Sequence, residues 1–252
     1  MPAGSEPLRL GVVCEALADY ELATHLADRL LEARVPWLCD VQLADVRRWQ
    51  GLTAAEPFLR WSEVPKLIRE RGLRVAGKFG AESGAMDAAS GRRALLLFAA
   101  LPAPEQPHAV LLIRDTDGHP ERCTGLQQAR SDPSRHWPFQ VVIGAEHCKR
   151  ESWILAGFEP GSAEEQRWLA EQREHLGFHP CERPEQLWAS DDDASSKRSA
   201  KKVLAALTRD DRSRELSCYR DASLELLLQR GQHCGLANYL RYVEKRLVPL
   251  LR

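Results

Sequence analysis

Asp115 and Asp117 stand two residues apart in H-A-V-L-L-I-R-D-T-D-G, His108 to Gly118. Carboxylates at that spacing repel one another unless a cation neutralises them, and hard divalent ions such as Mg²⁺ or Mn²⁺ take carboxylate oxygens. More acids occupy comparable places: Glu15 with Asp19 four residues on, and Glu146 with Glu151. If such acids converge, one or two divalent ions can orient and polarise a phosphodiester. Each acid also has a plain structural reading. D-T-D-G is an ordinary acidic turn, and Glu15 suits the N-terminal end of a helix.

The elements that must position these acids follow from hydrophobic pattern. Ala109 to Ile113 are five consecutive apolar residues, which predicts a strand buried on both faces of a largely parallel sheet. If the extended conformation persists past it, Asp115 and Asp117 point the same way from the C-terminal sheet edge, where open α/β folds bind ligands. Gly118 then allows a tight turn. Leu8 to Cys14 reads as a first strand leading into Glu15. The helical spacing of Tyr20, Leu22, Ala23, Leu26, Ala27, Leu30 and Leu31 follows, with Asp19 serving the first turn. Phe139 to Ile143 is a third strand that Gly144 ends, leaving Glu146, His147, Cys148, Lys149, Arg150 and Glu151 as a polar cluster beyond it.

Between these strands, Pro36 marks Val35 to Leu43 as the start or edge of a strand. Phe58 to Arg71 reads as a helix that Pro65 kinks or splits. Leu73 to Phe79 is a strand or a direct connection. Gly80 to Gly91 lacks both the G-K-[ST] ending of a P-loop and the dinucleotide fingerprint. Arg92 to Leu101 predicts a helix over the sheet, and Glu121 to Arg130 a short helix that Pro120 starts. Further helices are expected from Ser152, over Ala163 to Leu176, Ser199 to Leu207, Ala222 to Gln229 and Leu236 to Leu250. Ser190 to Ser196, S-D-D-D-A-S-S, reads as a solvated loop. The expected architecture is an α/β core over residues 1–158, with a mainly parallel sheet flanked by helices. A helical region over 159–252 packs on or beside it.

Composition bounds the function. The 252 residues are 44% hydrophobic and 28% charged, which excludes a disordered or fibrous chain. The longest apolar run, Ala94 to Leu101, is far too short to span a membrane, and the opening M-P-A-G-S-E-P-L-R-L suggests no signal peptide or presequence. Seven cysteines with no C-x-x-C pair favour reduced thiols and a cytoplasmic protein. A formal charge of -1 removes any global electrostatic argument for nucleic acid. An acidic metal site and a basic phosphate surface can still cancel in the sum. Lys149 and Arg150, and the denser Lys197, Arg198, Lys201 and Lys202, are phosphate-contact candidates or simply a solvated surface. His175, His179 and Cys181 lack a clear fourth zinc ligand, so packing roles are expected for them. Trp153, Tyr239 and Tyr242 read as core.

The E-x-x-x-D arrangement of Glu15 and Asp19, with the later Asp115-x-Asp117 pair, resembles the acidic motifs of the Toprim fold of topoisomerases, bacterial primases and related nucleases. The stretch R-E-S-W-I-L-A-G, Arg150 to Gly157, together with Lys201 and the C-terminal helix, looks more specifically like a bacterial Toprim-like group associated with ATPases in phage defence. That resemblance covers most of the chain. It implies a catalytic set of Glu15, Asp115, Asp117, Glu151 and Lys201. It also implies Mg²⁺ or Mn²⁺ held among Glu15, Asp19, Asp115, Asp117, Glu146 and Glu151. The activity implied is phosphodiester cleavage, DNA favoured over RNA, with an ATPase as a candidate partner. The family commonly has glycine after its first glutamate, whereas this chain has Ala16, so the turn there is expected to differ. A noncatalytic subunit that uses the same fold to bind nucleic acid or an ATPase is the alternative. Phosphotransfer on a small substrate is a third reading.

Overall fold

The computed structural model describes residues 6–75, 78–79, 82–189 and 196–252. In chain order the strands are β1 (Leu8–Cys14), β2 (Arg47–Gln50), β3 (Leu59–Arg60), β4 (Lys78–Phe79), β5 (Glu82–Ser83), β6 (Ala109–Asp115) and β7 (Gln140–Glu146). The helices are α1 (Leu17–Arg34), α2 (Leu43–Val46), α3 (Val64–Glu70), α4 (Ala88–Ala99), α5 (Glu121–Arg130) and α6 (Arg150–Ala156). They continue with α7 (Ala163–Leu176), α8 (Ala200–Thr208), α9 (Arg212–Arg220), α10 (Leu224–Arg230) and α11 (Leu236–Arg246). The fold is mixed α/β, with a mainly parallel sheet flanked by helices and a helical C-terminal region.

The main sheet has the order β2-β1-β6-β7, with β3 also on β1. β1 runs parallel to β6, matching Leu10 with Ala109 and Val13 with Leu112. It is also parallel to β2 and β3. The apolar run of β6 explains its central place, since Ala109 to Ile113 are each no more than 1% exposed. A strand covered on both faces cannot carry polar alternation.

The chain divides into two compact units. The first comprises Met1–Arg114, Pro120–Ala145 and Arg241–Arg252; the second comprises Asp115–His119 and Glu146–Leu240. In the first, α4 packs against α3 and α5, and Phe98, Val110, Leu112, Leu126 and Ile143 join one core. Within it Arg92 Nε lies 2.6 Å from Asp132 Oδ2, with side chains 1% and 0% exposed. Arg92 also donates to the Lys78 carbonyl at 2.8 Å, and its guanidinium lies over the Phe79 ring. In the second unit, Trp153 is fully buried, stacks on Tyr239 at 5.0 Å and donates its indole N–H to the Cys234 carbonyl. Gly157 lies so close to α9 that a Cβ there would sit 1.9 Å from the Cys218 carbonyl oxygen.

Several expectations change on contact with the structure. Pro36 opens a 3₁₀ turn, Pro36–Asp40, rather than a strand, and the strand of that region is β2, R-R-W-Q. Pro65 starts α3 instead of kinking a longer helix, because proline's missing N–H is no loss in a first turn; Leu59–Arg60 before it is a strand. Gly144 lies inside β7, which continues to Glu146. α9, R-S-R-E-L-S-C-Y-R, buries only Cys218 and Tyr219, too little apolar periodicity to announce a helix. α11 stops at Arg246, ahead of Pro249, which a continuing helix would not accommodate. Tyr242 is partly buried against the first unit's core. Of the expected 73–79 strand, residues 78–79 are β4 and 76–77 fall outside the described residues, as do 80–81 and the acidic loop residues 190–195. No helix among the described residues is long and apolar enough to cross a membrane.

Candidate functional site

Glu15 and Asp19 belong to the first unit, and the other sequence-predicted acids to the second. Glu15 follows β1 and its carboxylate meets Arg114, with Nη1 2.5 Å from Oε1. Arg114 Nε also donates to Asp87 Oδ2 at 3.1 Å, and Arg122 Nε lies 3.8 Å from that oxygen. The Arg114 guanidinium stands over the Trp61 ring, 5.7 Å from its centroid, and the indole N–H donates to the Ile113 carbonyl at 2.7 Å. Glu15, Trp61, Asp87 and Arg114, with Ser62 and Ser90, line a cavity of about 350 Å³. Asp19 turns to the helix start, where Oδ2 accepts the Ala16 N–H at 2.9 Å. Ala16 itself is extended, with φ -142°, so alanine in place of the family's glycine brings no backbone strain.

In the second unit the ends of β6 and β7 lie side by side. The Thr116 N–H donates to the Glu146 carbonyl at 3.0 Å, and the Asp117 N–H to the Cys148 carbonyl at 2.9 Å. Asp115, Asp117 and Glu146 thereby come from two adjoining strand ends. The extended conformation does not persist past Asp115. Asp117 has φ +49° and Gly118 φ +77°, so Asp115 ends the strand while Asp117 sits on the turn after it, and the two do not share a strand face. Asp115 is half-buried, Asp117 exposed and Glu146 fully buried. Asp115 Oδ1 accepts the Arg150 N–H at 3.0 Å, closing the first turn of α6, whose own Lys149 provides no side-chain cap. Glu151, on that first turn, pairs with Arg150 at 3.1 Å.

The softer donors beside these acids are occupied or protonated. His147 Nδ1 is 2.9 Å from the Thr116 hydroxyl, and burial holds the imidazole below its ordinary value although Glu185 acts the other way. Burial pushes the Cys148 thiol up to about 11, so it is not a thiolate at neutral pH. Of the H-x-x-x-H-x-C residues, His175 is in the last turn of α7, His179 is 3.9 Å from Glu182, and Cys181 is fully buried with its thiol pushed up to about 12. Lys201 is exposed in the first turn of α8.

Among the described residues, no group of three or more His, Cys, Asp or Glu side chains gathers closely enough to hold a metal ion. Asp87, Arg114 and Trp61 carry no sequence signal of their own. Arg114 directly precedes Asp115, and only the neighbouring strand and helix disclose what it grips. No family model, no curated protein and no solved structure matches the chain.

Proposed function

We propose that the chain is a Toprim-like, divalent-metal-dependent phosphodiesterase acting on nucleic acid, DNA in preference to RNA, in the cytoplasm. The reading also carries a role in phage defence beside an ATPase partner. The observation that carries it is the adjoining of the β6 and β7 ends in the second unit, where Asp115 and Glu146 end the two strands and Asp117 lies on the turn that follows β6. Their donor chemistry is all carboxylate oxygen, suited to Mg²⁺ or Mn²⁺. Asp115, Asp117 and Glu146 are the residues that would hold the ion, and as they stand they are not gathered closely enough to do so. When bound, it supplies Lewis-acid polarisation of a phosphodiester. Glu151 and Arg150 keep the start of α6 beside these acids, and exposed Lys201 contacts a phosphate. The resemblance adds Glu15 and Asp19 to the acidic set.

A specific observation favours the alternative, a noncatalytic subunit that binds nucleic acid or an ATPase. The Glu15 carboxylate, the first acid of the resemblance, is engaged by Arg114. The two readings separate with D117N, because Asn adopts positive φ as Asp does and preserves the turn. Purified wild type should bind Mn²⁺ by calorimetry and cleave DNA in Mg²⁺ or Mn²⁺ but not in EDTA, and D117N should lose both. Equal cleavage by the two proteins removes Asp117 from the chemistry. Absence of both metal binding and cleavage, with and without the ATPase partner, makes the binding subunit the better reading.

A further inference from the structure

Trp188 is 60% exposed, the most exposed of the large hydrophobic side chains among the described residues. An antiparallel bridge pairs it with Ser199, and the Ala189 N–H donates to the Arg198 carbonyl at 3.0 Å. The backbone of Trp188 is therefore held beside K-R-S-A-K-K, in which Lys197, Arg198, Lys201 and Lys202 place four exposed cations within six residues.

Arg198 is anchored to the fold, its guanidinium 5.5 Å from the centroid of the Phe178 ring; exposure of Trp188 brings the fold no gain. Leaving an indole in water forgoes its burial, the largest hydrophobic gain any side chain can offer. Lys201 and Lys202 occupy the first turn of α8, which has no acid, and a cation there opposes the helix dipole. The Ser199 hydroxyl caps that turn by accepting the Lys202 N–H at 3.2 Å, so the backbone is rigid where the lysines project. A flat π-face next to clustered positive charge complements a ligand that has both flat faces and regularly spaced anions. Exposed bases over a phosphate backbone meet that description, and a duplex, whose bases are already stacked, does not.

We infer that Trp188 and the Lys197–Lys202 run form a binding surface for single-stranded nucleic acid, with the indole stacking on a base and the cations on successive phosphates. The inference rests on the proposed function for the choice of nucleic acid among polyanions, but not on the acids or on metal. The test is fluorescence anisotropy with a labelled oligothymidylate and a labelled duplex, in EDTA and in the D117N background, between 50 and 200 mM salt. Failure of cleavage then leaves the result untouched. W188A should bind the single strand about 5- to 100-fold more weakly and the duplex almost unchanged. The K201A/K202A double variant should lower the single-strand salt slope by about 1.4, two contacts at about 0.7 each. The sequence between Trp188 and Lys197 carries Asp191, Asp192 and Asp193, which both proteins share, so the difference between their slopes reads the lysines. Equal single-strand affinity for wild type and W188A, a duplex preference in wild type, or an unchanged slope in the double variant overturns the inference.

Discussion

In the first unit, carboxylates meet guanidinium groups: Glu15 and Asp87 share Arg114, and Asp132 is locked to Arg92 in the core. In the second unit the ends of β6 and β7 are tied by backbone amides: the Arg150 N–H donates to the Asp115 carboxylate and the Thr116 N–H to the backbone carbonyl of Glu146, while Glu151 pairs with Arg150. An arginine that already neutralises a carboxylate competes with any added cation for it. An amide directed at one oxygen leaves the net negative charge in place. The contrast bears on Asp115, whose bond to the Arg150 amide does not by itself neutralise the carboxylate. In the first unit Glu15 and Asp87 line the cavity beside Trp61, and Asp132 lies in the core.

The largest effect should come from breaking the buried lock. D132A leaves the Arg92 guanidinium without its carboxylate in a fully buried setting, and should lower stability to chemical denaturation by about 3–5 kcal/mol. A loss below about 1 kcal/mol would show that the pair is not the constraint its burial implies. Next comes D117N, expected to cut cleavage about 100-fold, roughly 2.7 kcal/mol of barrier, while stability moves by less than about 0.5 kcal/mol. A stability loss as large as the activity loss would place Asp117 with the locked acids of the first unit.

D115A should behave differently from its neighbour. It removes the acceptor for the Arg150 N–H, so it should lose about 1 kcal/mol of stability together with metal affinity. Urea titrations of the two variants side by side distinguish a capping acid from a purely exposed one.

The smallest effect is a pH dependence within the second unit. Arg214 grips both oxygens of Glu165, at 2.6 and 3.0 Å, and the Gly161 N–H adds a third bond at 2.7 Å. Hydrogen bonding from Arg214 is the main cause that holds this carboxyl below the usual glutamate value of 4.5. A lowered folded value stabilises the protein above the unfolded value and is lost as pH falls through the folded one. The stability difference between wild type and E165Q should therefore be flat from pH 6 to 8 and shrink below about 4.5. A difference that grew on acidification would reverse the sign and exclude the assigned pairing.

Residues alone sufficed for the long, strongly patterned elements. β1, α5 and α7 run over the expected residues, and β6 continues past the expected Ile113 to Asp115, because uninterrupted apolar runs and helical spacing act locally. The positions of Glu15, Asp115 and Glu151 at element ends were legible for the same reason. Prolines misled where their effect depends on the preceding turn, as at Pro36 and Pro65, and α9 was invisible because its burial comes from partners rather than from its own pattern. Tertiary structure alone decided what the charges meet. That Arg114 engages Glu15 across 99 positions, that Asp115 caps α6 across 35, and that Trp188 stands exposed beside the lysine run all depend on partners remote in sequence. A carboxylate's role is set by the cation, amide or water that reaches it, and composition and spacing carry no record of that partner.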